Sequence, residues 1–252
     1  MLSYITSILI ASSYVFSIYF HQPSFLITKD RNDVEVIHYR LTRVTILCIS
    51  LLLVFSFKGL RPLGLVPGFT LTHSFFTDIF NIIRALILIV TLYIGPIVNY
   101  LENTTPTSFI EDFSQNFLNI HGFRDHIFAP LTEEFIYRAL ILDVAGFTWW
   151  SPFLFGIAHI HHAYFMYNHS KLPPSMIIFN TIFQTTYTTL FGLLANHLFV
   201  KYQNLWCCVV VHAVCNLMGF PGDVQGGKGA KVRYWIGIVV GIMGFIYILR
   251  LH

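Results

Sequence analysis

Charge is what this sequence has least of. Only 11% of its 252 residues are Asp, Glu, Lys or Arg, less than half the ~25% of an ordinary soluble domain. So few charges cannot clothe a water-soluble globule of this size, and disorder, which needs a polar and highly charged chain, is excluded by the same numbers. There is no basic run, and the net charge of +3 is spread along the chain, so nothing points to a nucleic-acid partner. Cysteine is scarce as well. Cys48, Cys207, Cys208 and Cys215 all lie in apolar stretches and none forms a CxxC pair. That pattern excludes a disulfide framework and reads as small core residues in a reducing environment. Internal repeats and low-complexity tracts are absent.

What remains is apolar sequence: 55% of residues are hydrophobic and 25 are Phe, with a mean hydropathy of +0.66. A helix of about 20 apolar residues crosses a bilayer. Residues 1–20 fit, without a single charge. They lack the basic flank and small-residue cleavage site of a signal peptide, so they read as a retained first span. Further helices are expected at about 44–57, 79–101, 130–144, 152–167, 175–200, 205–220 and 234–251. Residues 58–77, with Pro62, Pro67 and three glycines, read as a loop, and residues 102–125 as polar, then amphipathic. The fold class is all-α, a polytopic membrane bundle of about eight helices forming a single membrane-embedded domain over residues 1–252. Lys29, Arg31, Arg40, Arg43, Arg124, Lys171, Lys228, Lys231 and Arg233 fall in odd-numbered connections, against Lys58, Arg61, Lys201 and Arg250 on the other side. The bias puts the odd connections in the cytosol, and with them the unused sequon at Asn103.

Ionisable groups at membrane depth are expensive and usually face a bundle interior or a water-filled cavity. Glu133, Glu134, Arg138, His159, His161, His162, His212 and Asn216 are therefore the functional shortlist. Thr132 reads as a helix N-cap, with both carboxylates in the first turn, where the helix dipole favours them. Glu134 and Arg138 are four apart and share a face; Glu133, rotated about 100° away, is free to point elsewhere. The plain alternative is a capped helix with a structural ion pair. For His159 it is a hydrogen bond between helices. For His212 and Asn216, four apart in an apolar helix, it is a pair gluing helices together. The run 159–162 also raises a metal site, but HExxH is absent and the three histidines do not share one face, so no metal and no cofactor is expected.

Together the three clusters supply different chemical jobs. A carboxylate beside an imidazole can hold and deprotonate water, and two donors one turn apart suit an oxyanion. The implied reaction is amide hydrolysis without a covalent intermediate. Other intramembrane protease chemistries lack their motifs: there is no GxSG and no GxGD, since Gly222-Asp223 has the wrong spacing.

The segments EEFIYR (133–138), FGIAH (155–159) and HAVCN (212–216), followed by LMGFP, resemble the type II CAAX prenyl endopeptidases, whose pattern is EExxxR, FxxxH and HxxxN on separate helices. The likeness covers about residues 125–221. It implies a metal-independent protease of the endoplasmic reticulum membrane that removes the last three residues of prenylated CaaX proteins, of the small GTPase type. Glu133 would be the catalytic base and His159 its partner in activating water. His212 and Asn216 would stabilise the oxyanion, with Glu134 and Arg138 in support. Two rival readings are a non-catalytic membrane scaffold and a proton-coupled transporter using Glu133 and His159 as a relay.

Overall fold

The computed structural model describes residues 2–57, 59–71, 74–146, 148–222 and 224–251. Lys58 of the charge count and Asp223 of the GxGD comparison lie outside them. The described residues form helices and no strand. In order these are α1 (Leu2–Tyr19), α2 (Val34–Ser56), α3 (Phe75–Leu92), α4 (Ile94–Asn103), α5 (Pro106–Phe117), and α6, a continuous helical run over residues 120–145. They continue with α7 (Ser151–Ala158), α8 (His161–His169), α9 (Pro174–Tyr202), α10 (Leu205–Met218) and α11 (Lys228–Leu251), with shorter turns between. Four of them, α1, α2, α3 and α11, are long and apolar enough to cross a membrane.

Several boundaries differ from the sequence reading, each for a local reason. Helix α2 begins ten residues before the expected start, because the Asp33 side chain accepts from the Glu35 N–H and caps it. Arg40 and Arg43 are thus helical, not part of a connecting loop. The expected span 79–101 is two helices, α3 and α4. Pro96 has no N–H to give the Leu92 carbonyl, so the ladder breaks between them. Just past this break α4 crosses α11 so closely that a Cβ on Gly95 would lie 2.5 Å from the Tyr234 carbonyl oxygen.

Thr132 is not an N-cap. The cap of helix α6 lies thirteen residues earlier, at Asn119, whose side chain accepts from the His121 and Gly122 N–H groups. The Thr132 hydroxyl instead bonds back to the Phe128 carbonyl at 2.9 Å. Two π-helical turns, Arg124–Phe128 and Phe135–Leu140, interrupt α6. The first precedes Pro130, which removes a ladder donor; the second carries Arg138. Such widened turns recur at functional sites. Both glutamates therefore sit mid-helix, beyond the reach of a terminal dipole, and side chains must balance them. The expected helix 152–167 is also divided, and His159 lies at the junction of α7 and α8. The core runs from Tyr14 on α1 through Ile136, Leu140 and Phe155 to Leu198 on α9 and Val211 on α10.

Candidate active site

Glu134 and Arg138 are both fully buried. Arg138 Nη1 donates to Glu134 Oε1 at 3.1 Å, and its Nε lies 3.1 Å from Oε2, an ion-pair contact without hydrogen-bond geometry. The guanidinium is held from above by aromatic rings, 4.4 Å from the centroid of Phe155 and 5.4 Å from that of Phe191. A charge in this setting is tolerable only when paired.

His212, on α10, closes the network. Its Nδ1 is 2.7 Å from Glu134 Oε1, and because a carboxylate only accepts, Nδ1 carries the proton. Its other nitrogen, Nε2, lies 3.8 Å from Glu133 Oε2. One imidazole thus bridges the two neighbouring glutamates, 78 residues away in sequence. Glu134 is sealed, while the Glu133 side chain keeps 17% of its accessible surface.

His159 is set by the crossing of α7 and α9, where Gly156 packs on Thr185 and Thr189. Its Nδ1 lies 2.8 Å from the Phe155 carbonyl oxygen. A carbonyl also only accepts, so Nδ1 is the protonated nitrogen, and Nε2 of the neutral ring keeps its lone pair. Phe155 organises both imidazoles: their rings pack edge-on to it, at 4.7 Å for His159 and 5.9 Å for His212.

These groups open onto a cavity of about 1040 Å³, at the upper end for ligand sites. Glu133, His159, His212 and Asn216 line it, whereas Glu134 and Arg138 stand behind the wall. Among the described residues no hydrogen bond or ion pair joins Glu133 directly to His159; they meet through the cavity both line. Asn216 is exposed, and its Nδ2 gives one proton to the Asp125 carbonyl at 2.8 Å, which leaves one for a ligand. Its neighbour His212 has only Nε2 to offer, since Nδ1 is engaged. Among the described residues, no group of three His, Cys, Asp or Glu side chains converges as a metal site needs.

Tyr14 escaped the sequence reading. It lines the same cavity from α1, with its hydroxyl 3.2 Å from Thr132 Oγ1. The available signal was a polar tip within an apolar helix, which needs a partner when buried. Arg31, Arg40 and Arg124 also line this cavity, although the sequence reading used them only as loop charges.

Comparison with known proteins gives this arrangement a relationship. Residues 116–218 match the family described as Type II CAAX prenyl endopeptidase Rce1-like. The chain is 33% identical to CAAX prenyl protease 2 of Saccharomyces cerevisiae, over 87% of this chain and 80% of that protein. It is 28% identical to the probable CAAX prenyl protease 2 of Schizosaccharomyces pombe, over 96% of this chain and 89% of the relative. It is also 28% identical to the Homo sapiens CAAX prenyl protease 2, over 96% and 78%. No solved structure matches the chain. The matched segment contains all of the Glu133, Glu134, Arg138, His159, His212 and Asn216 constellation, and the longer alignments extend over most of the remaining helices: the chain belongs to the type II CAAX prenyl endopeptidase family.

Proposed function

We propose that the protein is an endopeptidase that removes the C-terminal tripeptide from prenylated CaaX proteins, small GTPases among them, by attack of water held at Glu133 and His159. The observation that carries this reading is the bridged Glu133–His212–Glu134–Arg138 network with one carboxylate facing a large cavity. Arg138 and the His212 Nδ1–H hold the Glu134 carboxylate in place. Glu134 in turn fixes the His212 ring, so that Nε2 points toward the cavity beside Glu133. The free lone pair of His159 Nε2 and the Glu133 carboxylate are two acceptors for one water, and either can take its proton as oxygen attacks the scissile carbonyl. The proton returns to the departing amine. The second Asn216 proton is one donor for the tetrahedral oxygen, and the His212 Nε2 beside it is another when it carries a proton.

No step needs a metal ion. Leu92, Ile238, Ile242, Phe245 and Leu249 form an apolar side of the cavity, where a prenyl chain entering from lipid would lie. In this reading the chain is one membrane-embedded unit of about eight passes in the endoplasmic reticulum, with its site reached from the cytosol. The test is purified protein given a prenylated and an unprenylated CaaX peptide, with and without chelator. Release of the tripeptide from the prenylated peptide alone, indifferent to chelator, is the expected result. No release at all would leave the scaffold and transporter readings standing.

A further inference from the structure

The cavity that exposes Glu133 has a second polar wall. Arg31 in the turn before α2, Arg40 within α2 and Arg124 in the first π turn of α6 all line it. Their charges are not balanced alike. Arg124 is satisfied: its Nε and Nη2 reach the two Asp125 oxygens at 2.6 and 2.9 Å, and Nη1 donates to Asn32 Oδ1 at 3.1 Å. Arg31 and Arg40 have no carboxylate partner among the described residues. The Arg31 Nη1 has only the His162 Nδ1, at 3.5 Å. Arg40 lies over the Tyr19 ring at 5.4 Å, and its Nε is buried with no acceptor. Burial, and next the like charge of Arg124, lower the Arg31 pKa from its usual range. Two half-buried guanidinium groups, one with an orphaned N–H, form a wall that lacks an anion. A planar two-oxygen anion is what such groups match best.

We propose that Arg31 and Arg40 bind the free α-carboxylate at the C-terminus of the peptide being cut, and so measure where the cut falls. This rests on the endopeptidase reading above and names a subsite for it. The ruler follows from distances. The His159 and His162 rings are 5.8 Å apart, and His162 Nδ1 is 3.5 Å from Arg31. These two legs put the Arg31 guanidinium no more than ~10 Å from the His159 ring, within the reach of three extended residues at ~3.3–3.6 Å each. In the proposal, a carboxylate held there leaves the third peptide bond from the end within reach of Glu133 and His159. A CaaX sequence inside a longer chain has no charge to offer at that point. A net-anionic lipid headgroup has related chemistry, and the experiment separates it.

The full chain, in vesicles of phosphatidylcholine alone, is given a farnesylated CaaX peptide ending either in the free acid or in a carboxamide. The acid is expected to be cut with a kcat/KM roughly tenfold to hundredfold higher, as befits hydrogen bonds to a charged group. Arg31→Gln and Arg40→Gln should shrink the acid-to-amide ratio toward one, and Arg40→Lys should restore part of it. Equal cleavage of acid and amide by the unmodified protein would overturn the proposal without needing any variant. So would variants that lower both peptides in parallel with the ratio intact, as a merely structural wall would. An effect of the substitutions seen only after phosphatidylserine is added would assign the wall to lipid headgroups and overturn it too. If neither peptide is cut by the unmodified protein, the endopeptidase reading itself fails, and the carboxylate site falls with it.

Discussion

The outward face of α2 and the middle of α6 are opposites. On α2, Leu53 and Val54 are each 62% exposed, whereas on α6 Glu134 and Arg138 are not exposed at all. In water the two arrangements would exchange places, since Glu and Arg are almost never fully buried and large apolar patches are covered. Here the apolar side chains face what lipid would fill. The charged ones are enclosed because only the interior offers them partners. Folding in such a chain is thus organised around polar groups, while the apolar surface is nearly indifferent to which residue supplies it.

That contrast can be broken from the inside outward. Glu133→Gln removes the one carboxylate that faces the cavity while keeping its shape; tripeptide release should fall by ~10³-fold or more, with the thermal midpoint nearly unchanged. Activity within tenfold of the parent would remove Glu133 from the chemistry. Arg138→Ala attacks the sealed pair. It leaves Glu134 buried with only His212, at a cost of about 3–5 kcal/mol, to be read as a loss of unfolding free energy in mild detergent. A destabilisation under 1 kcal/mol would mean that the pair contributes little.

Gly156→Val tests the crossing that positions His159. An added Cβ would come within 2.9 Å of the Thr185 carbonyl oxygen and closer still to the Thr189 hydroxyl. Overpacking of this kind costs about 1–3 kcal/mol, and kcat should fall with it because α7 must shift. Unaltered kinetics would separate the helix crossing from the site. Leu53→Ala, on the outer face, should move stability by no more than ~0.5 kcal/mol. A loss matching that of Arg138→Ala would erase the distinction between the two regions.

The legibility of this protein followed the range of the interactions involved. The Glu134–Arg138 pair was readable because four residues is one helical turn, a local fact. The shortlist of polar groups was readable because each stands out against apolar neighbours. The start of α6 was misplaced because Thr132 and two following glutamates imitate a helix N-terminus, while the working cap, Asn119, sits beside a π turn that no simple periodicity announces. The division of 79–101 had a visible cause in Pro96, yet whether a proline kinks a helix or ends one depends on the neighbour, here α11 packed on Gly95. Tyr14, Arg31 and Arg40 stand in the cavity wall only because segments distant in sequence pack together there.

The sequence alone determined the solvent and the list of chemical groups: too little charge for water, and carboxylate, imidazole and amide side chains on three helices. Composition and turn-length spacing carry that information, and neither depends on the fold. Only the tertiary structure decided that His212 bridges both glutamates, that Glu134 is sealed while Glu133 is open, and that one cavity joins His159 to two arginines with no carboxylate partner among the described residues. The reason is geometric. Those contacts join residues far apart in sequence, and their distances are set by how helices cross, at close-packed glycines and around buried rings.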